Sequence, residues 1–488
     1  MKEYIKGANP YMPLWEHVPD GEPRVFEYGG EKRVYVYGSH DTMRTQYCGK
    51  DYVVWSAPVD DLTDWSYHGT CYKTSDGSVL YAPDVVQKGD TFYLYSAEQK
   101  GSCVYVSESK SPTGPFINPR KTDLGFDPGV LVDDDGRVYA YWGFCACYCC
   151  ELNEDMATIR EGTLHVHPMD HTICPASESD AGQDTDGHIG AEDAFFEASS
   201  PRKVFGKYVY IYSKRYFTPV PELGVYTENN GFLSYKYSDS PLEGFQPGGD
   251  ISFNGGEILK NPDGTGTMSY RWGNNHGSIM EINGKWYVFY HRQTGTDEYS
   301  RQAMLEPVDV AMDQNGKIYI GDITYEDGEP VSSKPVEMTS QGAHINGLDA
   351  YKLISAGYAC HLTDRRQQKE GSAAAKAYIR PVYEQEDTVS APIVEITDGV
   401  TAGYRYLQFG ANAPKTVTAF IQAKADLTVN VRMDDYRGKI CAMLHMKAGE
   451  SQATAEVITG MIGKHAVYFE FLSESESVIA EFEQFTFD

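Results

Sequence analysis

Four carboxylates and one imidazole stand at matching places in a phrase this chain repeats, and gathered in one pocket those groups could move protons to and from an oxygen. The phrase is a turn glycine followed by an aromatic-rich strand: Arg33–Tyr37 after Gly30, Phe92–Tyr95 after Gly89, Val138–Trp142 after Gly136, Tyr208–Tyr212 after Gly206 and Trp286–Tyr290 after Gly284. Ahead of those glycines, by 8, 5, 9, 9 and 8 residues, stand Glu22, Asp84, Asp127, Glu197 and His276. Cleaving a glycosidic bond takes two carboxyl groups, one protonated to donate to the leaving oxygen and one ionised to activate water or attack directly. Keeping a carboxyl protonated near neutrality requires an apolar setting or a neighbouring negative charge, so a third acid can tune or orient the pair. Each of these acids alone reads as an ordinary turn residue among the 70 Asp and Glu of the chain. Their shared place in the repeat singles them out.

Positioning them is the task of the repeat. The turn glycines are separated by 59, 47, 70 and 78 residues, and short strands recurring at about 40–50 residues are the signature of a β-propeller, one sheet per repeat around a central axis. The expected fold is therefore all-β: a five-bladed β-propeller over 1–325, in which the innermost strand of each blade brings one equivalent residue to the axis. The Asp-, Gly-, Ser- and His-rich stretch from Glu151 to Ala191 reads as an insertion over one blade. A polar stretch containing GEPVSSKP makes 326–341 a linker. Beyond it, strands at Tyr404–Gly410, Thr416–Ala423, Thr428–Met433, Ala453–Val457, Ala466–Phe471 and Ala480–Phe487 alternate without helical periodicity, so 342–488 is expected to be a β-sandwich.

A formal net charge of −28 argues against nucleic acid or an anionic membrane as partner, because phosphate would be repelled. A neutral sugar is compatible, and the 37 tyrosines supply packing and stacking faces. No apolar run resembles a leader or a bilayer span, from which a cytoplasmic address is expected. Ten cysteines in 488 residues do not read as a disulfide framework. Cys145, Cys147 and Cys149 share a face by period two, but no nearby histidine completes a metal site, so buried reduced thiols are expected. Asp133–Arg137, DDDGR, is read as a hairpin turn because the remaining EF-hand ligands are missing.

Several stretches, in this order, carry a resemblance: GEPRVF with YVYGSHD, YAPDVV with FYLYS, FDPGVLVDDDGRVYAYWG, FFEASSPRKVFGKYVYIYS, NNHGSIMEINGKWYVFYH and SRQAMLEPV. Over about Asn9–Asp322 the chain resembles glycoside hydrolase family 43, five-bladed propeller enzymes that invert configuration. The resemblance implies that Asp127 adjusts and orients the acid, that Glu197 is the general acid, and that the general base belongs to an Ala-Asp-Pro phrase, which here reads Gly21-Glu22-Pro23. Glu22 is then the expected base, its extra methylene bearing on sugar specificity. Asp84 matches a sugar-contacting acid, His276 an axial histidine often beside a calcium ion held largely by waters, and Arg301 a substrate-binding arginine. Trp15 is either a stacking platform or a core residue. The region containing YRYLQFG, VNVRMDD, HAVYFEF and FEQFTFD resembles a family 6 carbohydrate-binding module. The resulting expectation is an inverting exo-acting glycoside hydrolase that requires no cofactor, with a structural calcium left open. It would release terminal β-D-xylose or α-L-arabinofuranose from oligo- or polysaccharide. Galactose-type sugars and a non-catalytic sugar-binding propeller remain alternatives.

Overall fold

The computed structural model describes residues 4–100, 103–144, 146–166, 195–216, 219–225, 229–271, 273–364, 376–384, 386 and 390–488. The fold is all-β, and among the described residues the helical elements are two single 3-10 turns, Pro221–Leu223 and Ala356–Tyr358. None of the described helices is long and apolar enough to cross a membrane. Most of the expected insertion, residues 167–194, lies outside the described residues.

Four antiparallel sheets of four strands follow one another along the chain. The first holds β1 (Glu22–Tyr28), β2 (Glu31–Tyr37), β3 (Asp51–Pro58) and β4 (Ser66–Lys73); the second β5 (Asp84–Lys88), β6 (Thr91–Glu98), β7 (Cys103–Ser109) and β8 (Ile117–Lys121). The third holds β9 (Gly129–Val132), β10 (Val138–Gly143), β11 (Cys147–Leu152) and β12 (His165–Val166); the fourth β13 (Phe195–Val204), β14 (Lys207–Tyr216), β15 (Asn229–Ser238) and β16 (Gln246–Phe253). A small hairpin of β17 (Ile258–Lys260) and β18 (Gly266–Met268) precedes a three-stranded sheet of β19 (Ser278–Ile282), β20 (Lys285–Arg292) and β21 (Gln302–Pro307). Each aromatic-rich phrase of the repeat is the second strand of its sheet.

Period two explains why those strands are aromatic on both faces. In β10, Val138, Ala140 and Trp142 pack into a cluster with Val86, Tyr95 and Val106 of the second sheet. Tyr139 and Tyr141 pack the other way, against Tyr210 and Tyr212 of the fourth. A sheet covered on both sides has no solvent face to keep polar, so its strands read as continuous apolar runs. Similar clusters join the first sheet to the second and the first to the sheet of β19–β21. The first strands touch in cyclic order: β1 lies beside β5, β5 beside β9, β9 beside β13, and β1 again beside β19. Ser200 Oγ to Ser278 Oγ at 2.7 Å and Arg202 Nε to the Ile279 carbonyl at 2.9 Å tie β13 to β19.

That ring is tight at Gly129, where a side chain would collide with the Ser199 carbonyl and the Pro201 ring of β13. Gly129→Ala is expected to destabilise the protein by about 1–3 kcal/mol through overpacking, read as a lowered urea midpoint, and to displace Glu197 two residues from the clash.

The expected linker is built into the fold. Residues 326–341 contain β24 (Glu329–Lys334), which pairs with β23 (Ile318–Glu326), itself paired with β22 (Asp309–Met312). Thr339 then donates from its backbone and hydroxyl to the buried Glu306 carboxyl, at 2.6 and 2.8 Å. The C-terminal strands form two six-stranded sheets, whose aromatics meet: Tyr404 lies 4.7 Å from Phe485 and Phe469 5.0 Å from Phe482. One apolar cluster runs from Ile211, Val288 and Ile320 into Ile354, Ile393 and Phe485. Buried Arg292 crosses the same junction, donating to the Ala359 and Gly357 carbonyls.

Candidate active site

Residues immediately ahead of the first strands meet at one end of the ring. Asp20, Ala82, Asp127 and His276 each stand two positions before β1, β5, β9 and β19, and all four line one cavity of about 500 Å³ together with Glu197, Asn274 and Arg301. Asp20 and Asp127 share a left-handed backbone, with φ of 58° and 50°. Aspartate tolerates that conformation better than most residues, and such backbone clusters at functional sites.

Glu197 arrives differently, as the third residue of β13. The register between β13 and β14 shifts on both sides of it, and Ala198 has φ of 70°. A bulge re-aims a side chain, here into the cavity, while the Ala198 N–H is donated to Asp127 Oδ2 at 3.3 Å. Asn274 Nδ2 donates to Glu197 Oε1 at 3.0 Å.

Arg301 organises the opposite wall. Its Nη1 donates to Asp20 Oδ1 at 2.9 Å and to Asn274 Oδ1 at 2.6 Å, while Nε and Nη2 each reach Asp41 at 2.9 Å. Ser39 Oγ donates to Asp20 Oδ2 at 2.6 Å. The Asp20 N–H is donated to His291 Nδ1 at 3.2 Å, which leaves the proton of that ring on Nε2, bonded to the Asn274 carbonyl. His276 Nδ1 lies 3.7 Å from Asp20 and 3.8 Å from Asp127.

The three carboxyls sit in different electrostatic settings. Burial pushes Glu197 up to about 8, with the negative charge of Asp20 adding to it against the pull of Arg301. Asp127 is raised well above the ordinary carboxylate range by burial and by Glu197 and Asp20. Burial also works against the charge on Asp20, but Arg301, the two histidines and the Ser39 hydroxyl outweigh it and hold Asp20 below its ordinary value. Burial lowers His276 to about 4 and His291 to about 3, so both rings are neutral near pH 7. One ionised carboxylate therefore faces two groups that favour the protonated form, which is the pairing that acid–base chemistry uses.

The expected residues separate into two layers. Asp127, Glu197, His276 and Arg301 line the cavity. Glu22 does not, and the expectation that it faces the cavity is corrected. Its Oε2 accepts from Arg202 Nη2 at 2.6 Å, with the residue 1% exposed. Asp84 is likewise bound by Arg24 at 2.6 Å and by the Val130 N–H at 2.7 Å. As the first residues of β1 and β5, Glu22 and Asp84 lie one two-residue step, about 7 Å, further along the axis than Asp20 and Ala82. They form a buried quartet with Arg24 and Arg202. Trp15 packs in the core against Tyr4 at 6.0 Å and does not line this cavity. Aromatic surface comes instead from Phe126, flanked by Tyr81 at 5.5 Å and Phe144 at 5.9 Å.

Calcium takes oxygen ligands, and His276 brings a nitrogen. Among the described residues no group of three or more His, Cys, Asp or Glu is placed to hold a metal ion. Asp84, whose charge His276 feels, is bound to a guanidinium. This donor set does not fit a calcium ion. Eight of the cysteines are described and none of these eight is joined in a disulfide, Cys147, Cys149 and Cys150 being among the buried ones; Cys145 and Cys174 lie outside the described residues.

Residues 21–187 match the sequence profile of Glycosyl hydrolases family 43. A xylosidase/arabinosidase of Thermoclostridium stercorarium is 31% identical over 97% of this chain and 98% of its own length. An arabinoxylan arabinofuranohydrolase of Paenibacillus polymyxa is 25% identical over 94% of this chain and 71% of its own. Among solved structures, the family 43 arabinoxylan arabinofuranohydrolase of Bacillus subtilis, in complex with cellotetraose, is 20% identical with a TM-score of 0.44, covering 97% of this chain and 96% of the other.

Proposed function

Because the chain belongs to glycosyl hydrolase family 43, we propose that it is an inverting, exo-acting β-D-xylosidase and α-L-arabinofuranosidase acting on plant oligo- or polysaccharide. The observation that carries this reading is the juxtaposition of Asp20, ionised, with Glu197 and Asp127, both biased toward the proton, in one cavity. Asp20 takes the role expected of Glu22: it draws a proton from a water on one face of the anomeric carbon. Glu197 gives its proton to the departing oxygen on the other face. Burial and the negative charge of Asp20 keep Glu197 protonated, and Asp127 fixes the bulge that aims it through the Ala198 N–H. Arg301 holds Asp20 in its ionised form and aligns Asn274 with the acid. The choice of sugar is supported by the printed activities of the relatives, above all the one matched over almost its whole length.

The same proposal reads the consecutive sheets as the blades of a five-bladed β-propeller, supported by the cyclic order of the first strands. It reads 342–488 as a β-sandwich of the carbohydrate-binding type, supported by two sheets meeting through Tyr404, Phe469 and Phe485.

Screening nitrophenyl glycosides tests the activity, with proton NMR of the first product. Release of the opposite anomer from the one supplied is the expected result; retention of configuration, or no turnover of any xyloside or arabinofuranoside, overturns the proposal. The pH profile follows from the two carboxyls. With Asp20 below the ordinary range and Glu197 at about 8, kcat/KM should be level from roughly pH 5 to 7 and fall about tenfold per unit above 8 as the acid loses its proton.

A further inference from the structure

Two loops beside the candidate active site are latched to each other. Residues 38–50, between β2 and β3, carry Tyr47, and residues 293–301, between β20 and β21, carry Glu298 and Tyr299. Tyr47 donates its hydroxyl to Glu298 Oε2, its ring meets Tyr299 edge-on at 5.0 Å, and the Arg301 guanidinium lies over the same ring at 5.1 Å. Burial and then the charge of Glu298 push the Tyr47 hydroxyl above its ordinary value, so the phenol keeps its proton and Glu298 is the acceptor. Tyr47 lines the cavity, whereas Glu298 is not part of its lining.

The second oxygen of Glu298 occupies the space that a side chain at Gly273 would need. Gly273 is itself fixed: its N–H is donated to Asn254 Oδ1 at 3.3 Å, and its carbonyl accepts from Asn254 Nδ2 at 2.6 Å and Gln293 Nε2 at 2.7 Å. The next residue is Asn274, which donates to Glu197 Oε1 at 3.0 Å. The Glu298 carboxylate is therefore seated one residue from the group that holds Glu197. Arg271, which feels its charge, donates to the Thr296 carbonyl. Around Glu197 the other titratable and charged groups are Asp20, Asp127 and His276 ahead of the first strands, Arg301, Arg215 of β14, and Tyr47. His276 and Tyr47 are uncharged near pH 7, and Arg301 is shared between Asp20 and Asp41.

We propose that Glu298 is a positioning residue for the acid: clamped by Tyr47 and seated on Gly273, its carboxylate supplies from outside the cavity a second negative charge, beside that of Asp20, that keeps the proton on Glu197. A like charge nearby disfavours ionisation of a carboxyl, and among the charges that raise Glu197 that of Glu298 stands with Asp20. Naming Glu197 the acid rests on the function proposed above; the coupling of the two carboxyls does not, and its test is read without turnover.

Carbon-13 NMR of the full chain labelled at the glutamate carboxyls, with the Glu197 resonance assigned by its loss in Glu197→Gln, follows the titration of that group directly. Glu298→Gln still accepts from Tyr47 but carries no charge, and is expected to raise the ionisation constant of Glu197 about threefold or more, lowering its midpoint by about half a pH unit. Tyr47→Phe keeps the charge and removes the clamp, and is expected not to lower the midpoint. An unmoved midpoint in Glu298→Gln overturns the proposal, as does an equal fall in Tyr47→Phe, which would trace the effect to a disturbed wall. Should Glu298→Gln fail to fold, Glu298→Ala, which only removes atoms, is judged by the same criterion. In turnover the alkaline limb of kcat/KM should fall with the midpoint; a midpoint that falls while the limb stays supports the coupling and instead removes Glu197 from the role of acid.

Discussion

Asp20→Asn is expected to lower kcat by about 10³–10⁴-fold, some 4–5.5 kcal/mol of barrier, when the group that deprotonates water is lost, while Glu22→Gln leaves kcat per folded molecule within about fivefold. The opposite order is expected for stability. In Asp20→Asn the amide oxygen still accepts from Arg301, and Arg301 keeps Asp41, so the urea midpoint moves little. Glu22 balances Arg24 and Arg202 in a quartet that also contains Asp84, with all four residues 8% exposed or less. Removing one charge of a buried pair leaves its partner uncompensated, a loss of about 3–5 kcal/mol. Kinetics and denaturation of the two variants side by side assign the base: turnover surviving in Asp20→Asn but lost in folded Glu22→Gln returns the role to Glu22.

The same pair shows where sequence reading reached the site and where it stopped. The repeat of turn glycine and aromatic strand singled out Asp127, Glu197 and His276, and all three line the cavity. β1 runs seven residues up to its turn at Gly29 and Gly30, against five for β19 up to its turn at Asn283 and Gly284. Counting back eight from Gly30 therefore lands inside β1, on Glu22, and the cavity residue lies two further on. Period two then places Glu22 and Asp20 on the same side at different depths, a distinction that alternation cannot make. Counting from the start of the strand instead would have selected Asp20. Asn274 and His291 were in view within NNHG and FYH, but their task is to orient Glu197 and Asp20, and an orienting contact has no signature in spacing. Asp41 was equally hidden, since its partner Arg301 is 260 positions away. The alternating strands of the C-terminal part, by contrast, were readable almost to the residue at Thr416–Ala423 and Ala480–Phe487. What the polar composition of 326–341 obscured is that a strand can be polar at a surface edge and still be paired.

Glu197→Gln separates the acid from every other role in the cavity, because its effect should depend on what is leaving. Glutamine keeps an Oε1 that accepts from Asn274 and has the shape of the native side chain, so the bulge and the Ala198 contact to Asp127 stand. It has no proton to give. For an unactivated xylo-oligosaccharide, whose leaving alkoxide is strongly basic, the rate should fall by about 10³–10⁴-fold. For a dinitrophenyl glycoside, whose phenolate departs without help, the fall should be about tenfold or less, since only orientation and field are disturbed. The alkaline limb near pH 8 should vanish with it, because the group raised by burial and by Asp20 is the one removed. An equal loss on both substrates, with the limb still in place, would assign the limb and the proton to Asp127, the other carboxyl whose burial favours the neutral form.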